Sequence, residues 1–188
     1  MTQLTIRPAA DEIETIIEGC KNKDISSQEK LYRLCYEKFI KICHRYAGDM
    51  DGAGIIFNNA MLRVFKYIGQ YRHENKLMGW IKTIVLNCSL DYVKQKNKLR
   101  FEKLEAAHDD EIGVPAEIFS NISAKDIQQH IQQLPPTTAT VFNLFVFDGC
   151  THKEIGILLN IATGTSKWHV NEGRRLLTLK LNNLYGLK

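Results

Sequence analysis

Near the end of the chain, Thr165, Trp168, Asn171, Glu172 and Arg175 follow at intervals of three, three, one and three. That is the spacing that gathers side chains on one face of an α-helix. Lys167 and His169 lie beside them. A hydroxyl, an indole, an amide, a carboxylate and several cations on one helical face suit the reading of base edges better than catalysis. In the major groove an Asn can pair with an adenine edge, a Glu can accept from cytosine, and a Lys or Arg can meet guanine. Cations there also hold phosphates and release counterions. Trp168 is open to two uses, on a thymine methyl or sugar, or packed against the preceding helix.

Such a face needs a scaffold. Ser166, Val170, Gly173 and Leu177 follow at intervals of four, three and four and form the inward side of the same helix, expected from about Thr163. Ala162 precedes it where a capping hydroxyl would serve, and Thr163 can take that place one residue later. Upstream, Thr151 and Glu154 have capping-box spacing before the apolar residues Ile155, Leu158, Leu159 and Ile161. Gly156 lets another helix come close, and Asn160 to Ala162 form a tight turn. Leu134-Pro135-Pro136 opens an earlier helix containing Val141, Phe142, Leu144, Phe145 and Val146, and Asp148-Gly149 ends it. Two short helices joined by a small turn, the second polar and basic outside, read as a helix-turn-helix.

The 188 residues suffice for one or two small domains. The net charge of +4 is unevenly spread. Residues 60–103 hold ten Lys or Arg against three acids, residues 104–126 one against six, and residues 150–188 six against two. Two basic blocks separated by an acidic one suit a polyanion such as DNA, or are solvated helix faces. Asp109-Asp110-Glu111 in the acidic block either imitates nucleic acid in a basic groove or is a solubilising tether. Five cysteines with no CxxC pair fit reduced, mostly buried thiols of a cytoplasmic protein. Neither a membrane-length apolar run nor a signal peptide is present. GxGxxG, Walker, GxSxG and HExxH motifs are absent, and Cys43-His44 has no second ligand pair. The expectation is therefore no enzyme, no cofactor, no metal and no small-molecule substrate.

The first half reads as helical throughout. Residues 1–24 form an arm or short amphipathic helix. A helix from about Ser26 to Tyr46, capped by Ser26 to Glu29, buries Leu31, Leu34, Cys35, Phe39, Ile42 and Cys43. Gly48 to Gly54 is read as a break. A helix from about Ile55 to Ile68 turns Ile56, Met61, Val64, Phe65 and Ile68 inward, and Tyr67 to Glu74 is read as a polar loop. A third helix from about Leu77 to Asn97 places Trp80, Ile81, Ile84, Val85, Cys88 and Tyr92 on its apolar side and ends in a basic run from Lys94 to Arg100. If such a basic helix binds DNA whose strands part, bases leaving the stack would need flat partners. Tyr71, in the polar loop, is the favoured platform, whereas Trp80 reads as core.

The C-terminal stretch resembles the promoter-binding domain of bacterial sigma factors of the extracytoplasmic-function (ECF) group. Leu134-Pro135, the apolar helix ending at Asp148-Gly149, Thr151 to Ile155, Gly164-Thr165-Ser166-Lys167 and Arg174 carry the resemblance. The first half is similar to that family's polymerase-binding and promoter-melting domain through Leu62 to Lys66, Trp80 to Asn87, Asp91-Tyr92 and the basic run. It departs from the family at Ile55, Asn58 and Asn59, which stand where an acid, a Gln and an acid are usual.

The resemblance implies an all-α protein with an arm at 1–24, a domain at 25–100 for polymerase core and the −10 element, an acidic linker at 101–122, and a helix-turn-helix domain at 123–188 for the −35 element. It implies a transcription initiation factor whose partners are the clamp of RNA polymerase core, promoter DNA and an anti-sigma factor. The expected contacts are Thr165, Lys167, Trp168, His169, Asn171, Glu172 and Arg175 at −35. At −10 they are Tyr71, Asn87, Asp91, Lys94 and Lys98, and at the clamp Asn58, Asn59, Arg63 and Lys66. The alternatives are a stand-alone helix-turn-helix regulator and a helical adaptor that binds no DNA.

Overall fold

The computed structural model of the protein describes residues 10–72, 76–101 and 124–185. Asp109-Asp110-Glu111 and the side chains of Lys98 and Arg100 lie outside the described parts. Every regular element among the described residues is helical: α1 (Ala10–Lys21), α2 (Ile25–Ala47), α3 (Met50–Tyr67), α4 (Leu77–Phe101), α5 (Ala124–Gln132), α6 (Pro136–Phe142), α7 (His152–Leu159) and α8 (Thr163–Tyr185). The chain divides into two compact units, Met1–Ser89 and Leu90–Lys188. No helix among the described residues is long and apolar enough to cross a membrane.

In the first unit α2 and α3 form an antiparallel pair, and α1 packs on α2. Asp24, not the serines after it, caps α2, its carboxylate accepting from the Ser27 N–H at 2.8 Å. Each carbonyl or N–H at a helix end needs such a partner, and Asp serves well in that position. Leu31, Cys35, Phe39 and Cys43 of α2 are buried, while Leu34 and Ile42 are only partly covered. The expected break from Gly48 to Gly54 shrinks to two residues. Gly48 ends α2 with a left-handed φ of 92°, and Asp49 caps α3 through the Gly52 N–H at 2.6 Å. A capped first turn, with Gly52 and Ala53 buried, offsets the poor helix propensity of Gly52 and Gly54. Ala53, Ile56, Phe57, Ala60, Met61 and Val64 then fill the inner side of α3.

Four cysteines, Cys20, Cys35, Cys43 and Cys88, are buried as small apolar groups. Burial pushes the thiol of Cys20 up to about 11 and those of Cys35 and Cys43 to about 12.

In the second unit α6 and α7 both pack on α8. Ile131, Leu134, Phe142 and Leu177 form a core that joins α5, α6 and α8. A side chain at Gly173 would meet the Phe142 ring at 2.7 Å, so the missing Cβ permits α6 to lie close against α8. The helix expected to reach Val146 ends at Phe142 and widens into a π turn, Asn143–Phe147. The Asp148 N–H bonds back to the Asn143 carbonyl, five residues earlier, and Gly149 takes a φ of 73°. This wider turn turns Val146 and Phe147 outward while Leu144 is fully buried.

Candidate nucleic-acid interface

The helix-turn-helix begins with a complete capping box. Thr151 Oγ1 accepts from the Glu154 N–H at 3.2 Å, and Glu154 Oε2 accepts from the Thr151 N–H at 2.7 Å. The Thr151 N–H, together with the Thr151 hydroxyl donating to the same oxygen at 2.8 Å, holds the Glu154 carboxyl below its ordinary value. α7 ends at Asn160, in the left-handed region with a φ of 54°. The turn passes so close to Gly156 that a Cβ there would meet the Ile161 carbonyl at 2.9 Å. Gly156 therefore makes room for the turn itself rather than for a separate helix. The Ser166 N–H donates to the Ala162 carbonyl, so Ala162 stands at the cap position of α8 and Thr163 is already helical. Thr163 thus does not take over as the cap.

Two histidine–hydroxyl contacts seat α8. His152 Nδ1 lies 3.0 Å from the buried Ser166 Oγ, its ring stacked on Phe145 at 4.4 Å. His169 Nδ1 lies 3.0 Å from Oγ1 of the buried Thr138 in α6. A buried hydroxyl is costly without a partner, so these contacts account for polar residues on an otherwise apolar side. Desolvation lowers the pKa of His169, opposed by the nearby Glu172 carboxylate.

Ser166, Val170, Gly173 and Leu177 are all buried, as their spacing predicts. On the outer side Thr165, Lys167, Trp168 and Asn171 are exposed, Trp168 by 51%. The Trp168 ring meets the neighbouring His169 edge-on at 4.8 Å. Three expected readers are placed differently. His169 is partly buried and engaged with Thr138. Glu172 and Arg175 grip one another, Nε to Oε2 at 2.8 Å and a terminal nitrogen to Oε1 at 2.6 Å, with side chains only 16% and 11% exposed. Arg174, absent from the expected readers, is exposed instead and follows Lys167 and Asn171 at intervals of four and three. A Glu and an Arg three apart on a helix form an ion pair readily, and that spacing was the signal available for choosing between the two arginines.

On α4, Asn87, Asp91 and Lys94 are exposed at intervals of four and three. Lys98 continues that register, its side chain lying outside the described parts. Tyr71 is not the open platform its polar surroundings predict. It is 9% exposed, its hydroxyl accepts from the Lys76 N–H at 3.1 Å, and its ring lies 5.3 Å from Trp80. A 3-10 turn at Ile68–Gln70 ends α3 and leads the chain inward at this point. Trp80 is partly covered. Tyr67 keeps 40% of its surface exposed, with the Lys66 ammonium 5.4 Å from its ring centre.

Asn58, Asn59, Arg63 and Lys66 are all exposed on α3, and Ile55 and Leu62 share that side at 52% and 68% exposure. Asn58 is held in place by the Tyr32 hydroxyl, which donates to its Oδ1 at 2.8 Å. Among the described residues no group of three or more His, Cys, Asp or Glu could hold a metal ion.

Comparison with known proteins bears on both units. Residues 124–177, spanning α5 to the buried Leu177 of α8, match the family model described as Sigma-70, region 4. The ECF RNA polymerase sigma factor SigW of Bacillus subtilis is 26% identical over 183 residues, covering 92% of this chain and 98% of that protein. The ECF RNA polymerase sigma factor SigE of Mycolicibacterium smegmatis is 28% identical over 159 residues, 80% of this chain. The chain spans 60% of the length of that relative. Among solved structures, the sigma factor RpoE of Bartonella quintana, crystallised with the anti-sigma factor NepR, shares the fold. Its TM-score is 0.54 at 13% identity, covering 85% of this chain and 97% of that one. With a region 4 match over the helix-turn-helix and ECF relatives aligned along most of its length, the chain is similar to the ECF group of the sigma-70 class of RNA polymerase sigma factors.

Proposed function

We propose that the protein is a transcription initiation factor that binds RNA polymerase core, directs it to promoters and assists opening of the duplex. The observation that carries this reading is the capped helix-turn-helix, whose second helix shows Thr165, Lys167, Trp168, Asn171 and Arg174 outward over a fully buried inner stripe. A helix of that composition fits the major groove, where its amide and cations meet base edges and phosphates. We assign it to the −35 element. We assign the α4 side with Asn87, Asp91, Lys94 and Lys98 to the −10 element. The α3 side with Asn58, Asn59, Arg63 and Lys66 is assigned to the polymerase clamp. The protein acts by binding, without a cofactor, in the cytoplasm where polymerase works. An anti-sigma factor is a further partner, a reading supported by the likeness to a sigma factor crystallised with one.

Run-off transcription with purified core over a promoter library tests the proposal. Transcripts that depend on both core and this protein are expected. Tight binding to duplex DNA with no core association and no transcript would instead establish a stand-alone regulator.

A further inference from the structure

The α3 side assigned to the clamp carries a feature that residue types alone do not show. Tyr32 sits on α2 with its ring edge against Phe57, centroids 5.0 Å apart, and stacked beside Tyr36 at 6.5 Å. Phe57 is fully buried, so the Tyr32 ring rests on a fixed support. From there its hydroxyl reaches across to α3 and donates to Asn58 Oδ1 at 2.8 Å. A neutral side-chain amide has one acceptor oxygen and two N–H donors. With the oxygen engaged by Tyr32, Asn58 turns its donors toward solvent.

We infer that Tyr32 is a positioning residue that fixes the Asn58 amide as an outward hydrogen-bond donor, so that this surface takes an acceptor, a carboxylate or main-chain carbonyl, on its polymerase partner. The inference rests on the assignment of α3 to polymerase. Its physical basis is preorganisation. An exposed amide otherwise samples both orientations and several rotamers, and ordering them on binding costs affinity. In this structure the Tyr32 hydroxyl donates to Oδ1, which restrains the amide in one orientation beforehand. The neighbouring polar groups agree in sign, because Arg63 and Lys66 on the same side also carry only donors. Ile55 and Leu62 flank Asn58 at three and four residues, and packing a partner over them would exclude water from the new bond.

The test is a titration of polymerase core with the full-length protein and five variants. Tyr32→Phe keeps the ring on Phe57 and removes only the hydroxyl. It should weaken core binding roughly threefold to tenfold, the scale of one hydrogen bond. Asn58→Ala should weaken binding at least as much, and adding Tyr32→Phe to it should cause no further loss. A merely structural role for Tyr32 would weaken binding in both backgrounds alike. Asn58→Asp preserves an acceptor for Tyr32 but replaces the outward donors with oxygen, and should bind no better than Asn58→Ala. Arg63→Glu is the control for the surface. If Arg63→Glu weakens binding while Tyr32→Phe does not, or Asn58→Asp binds like wild type, the inference is wrong and the clamp assignment stands. If Arg63→Glu also binds like wild type, both are wrong.

Discussion

Arg175 folds back onto Glu172, three residues earlier on α8, and grips both carboxylate oxygens at 2.8 and 2.6 Å. Both side chains are mostly covered, so the pair is part of the helix surface. Two-point guanidinium–carboxylate contacts are among the stronger ion pairs because geometry and charge act together. The Arg175 guanidinium also lowers the Glu172 carboxyl below its ordinary value.

If α8 binds DNA as proposed, the two adjacent arginines should divide the labour. Arg174→Ala should flatten the slope of log DNA affinity against log salt by about one unit, as loss of one phosphate contact does. Arg175→Ala should leave that slope nearly unchanged and lower the melting temperature instead. Filter binding across a salt series, beside thermal melts of both variants, separates the two. Equal slopes for Arg174→Ala and wild type would remove Arg174 from the DNA contact.

Much of this surface is legible in the sequence, for a physical reason. Burial imposes a period, and Ser166, Val170, Gly173 and Leu177 keep that period without interruption, so the inward side of α8 can be read directly. The Thr151–Glu154 box is likewise a local device whose two halves lie three residues apart. Features that depend on remote partners are not legible in this way. Tyr71 looks like a loop residue until Trp80 and the Lys76 N–H are seen to enclose it. The hold of Tyr32 on Asn58 spans 26 residues. Gly52 and Gly54 suggest a break because propensity is local, whereas the Asp49 cap and the buried inner side of α3 override it.

His169 should make the seating of α8 pH-dependent. Its folded pKa is lowered, mainly by desolvation, below the ordinary 6.5. The unfolded chain therefore takes up a proton first, and stability that is present above about 6.5 declines as pH falls through the lower folded value. Glu172 and its partner Arg175 are the charged groups nearest on the same helix, and Thr138 on α6 is neutral. Thermal melts between pH 7.5 and 5.5 should show a steeper loss for wild type than for His169→Gln. Parallel curves would assign the acid sensitivity elsewhere, with carboxylates such as Glu154 contributing only at still lower pH.

The cysteines should divide sharply in reactivity. A thiol reagent attacks the thiolate, and a thiol raised to about 12 holds about one thiolate in ten thousand at pH 8. Cys20, Cys35, Cys43 and Cys88 are buried as well, whereas Cys150 is partly exposed. Native protein treated with a chromogenic disulfide should titrate one fast thiol, lost in Cys150→Ser, and four more only in denaturant. Fast reaction of two or more thiols in Cys150→Ser would mean that the first unit opens readily.

Under the proposed assignment of α8 to the −35 element, base reading would fall to the residues left outermost on that helix. Asn171 is exposed, between Lys167 four residues before it and Arg174 three after, with Trp168 alongside on the same turn. Phosphate contacts from the two cations would set the depth of the helix in the groove, and a flanked amide is then placed to meet a base edge. Asn171→Ala should cost about 1–3 kcal/mol on the preferred −35 sequence and less on sequences changed at the base it reads. Trp168→Ala should act through a thymine, so that replacing that thymine with uracil, which lacks the methyl, reproduces the loss in wild type. The measurement is competition binding over a panel varied one position at a time across the −35 element, with and without core. Uniform weakening across the panel by Asn171→Ala would make it a backbone contact, and the specificity of α8 would then have to come from Trp168 and Lys167.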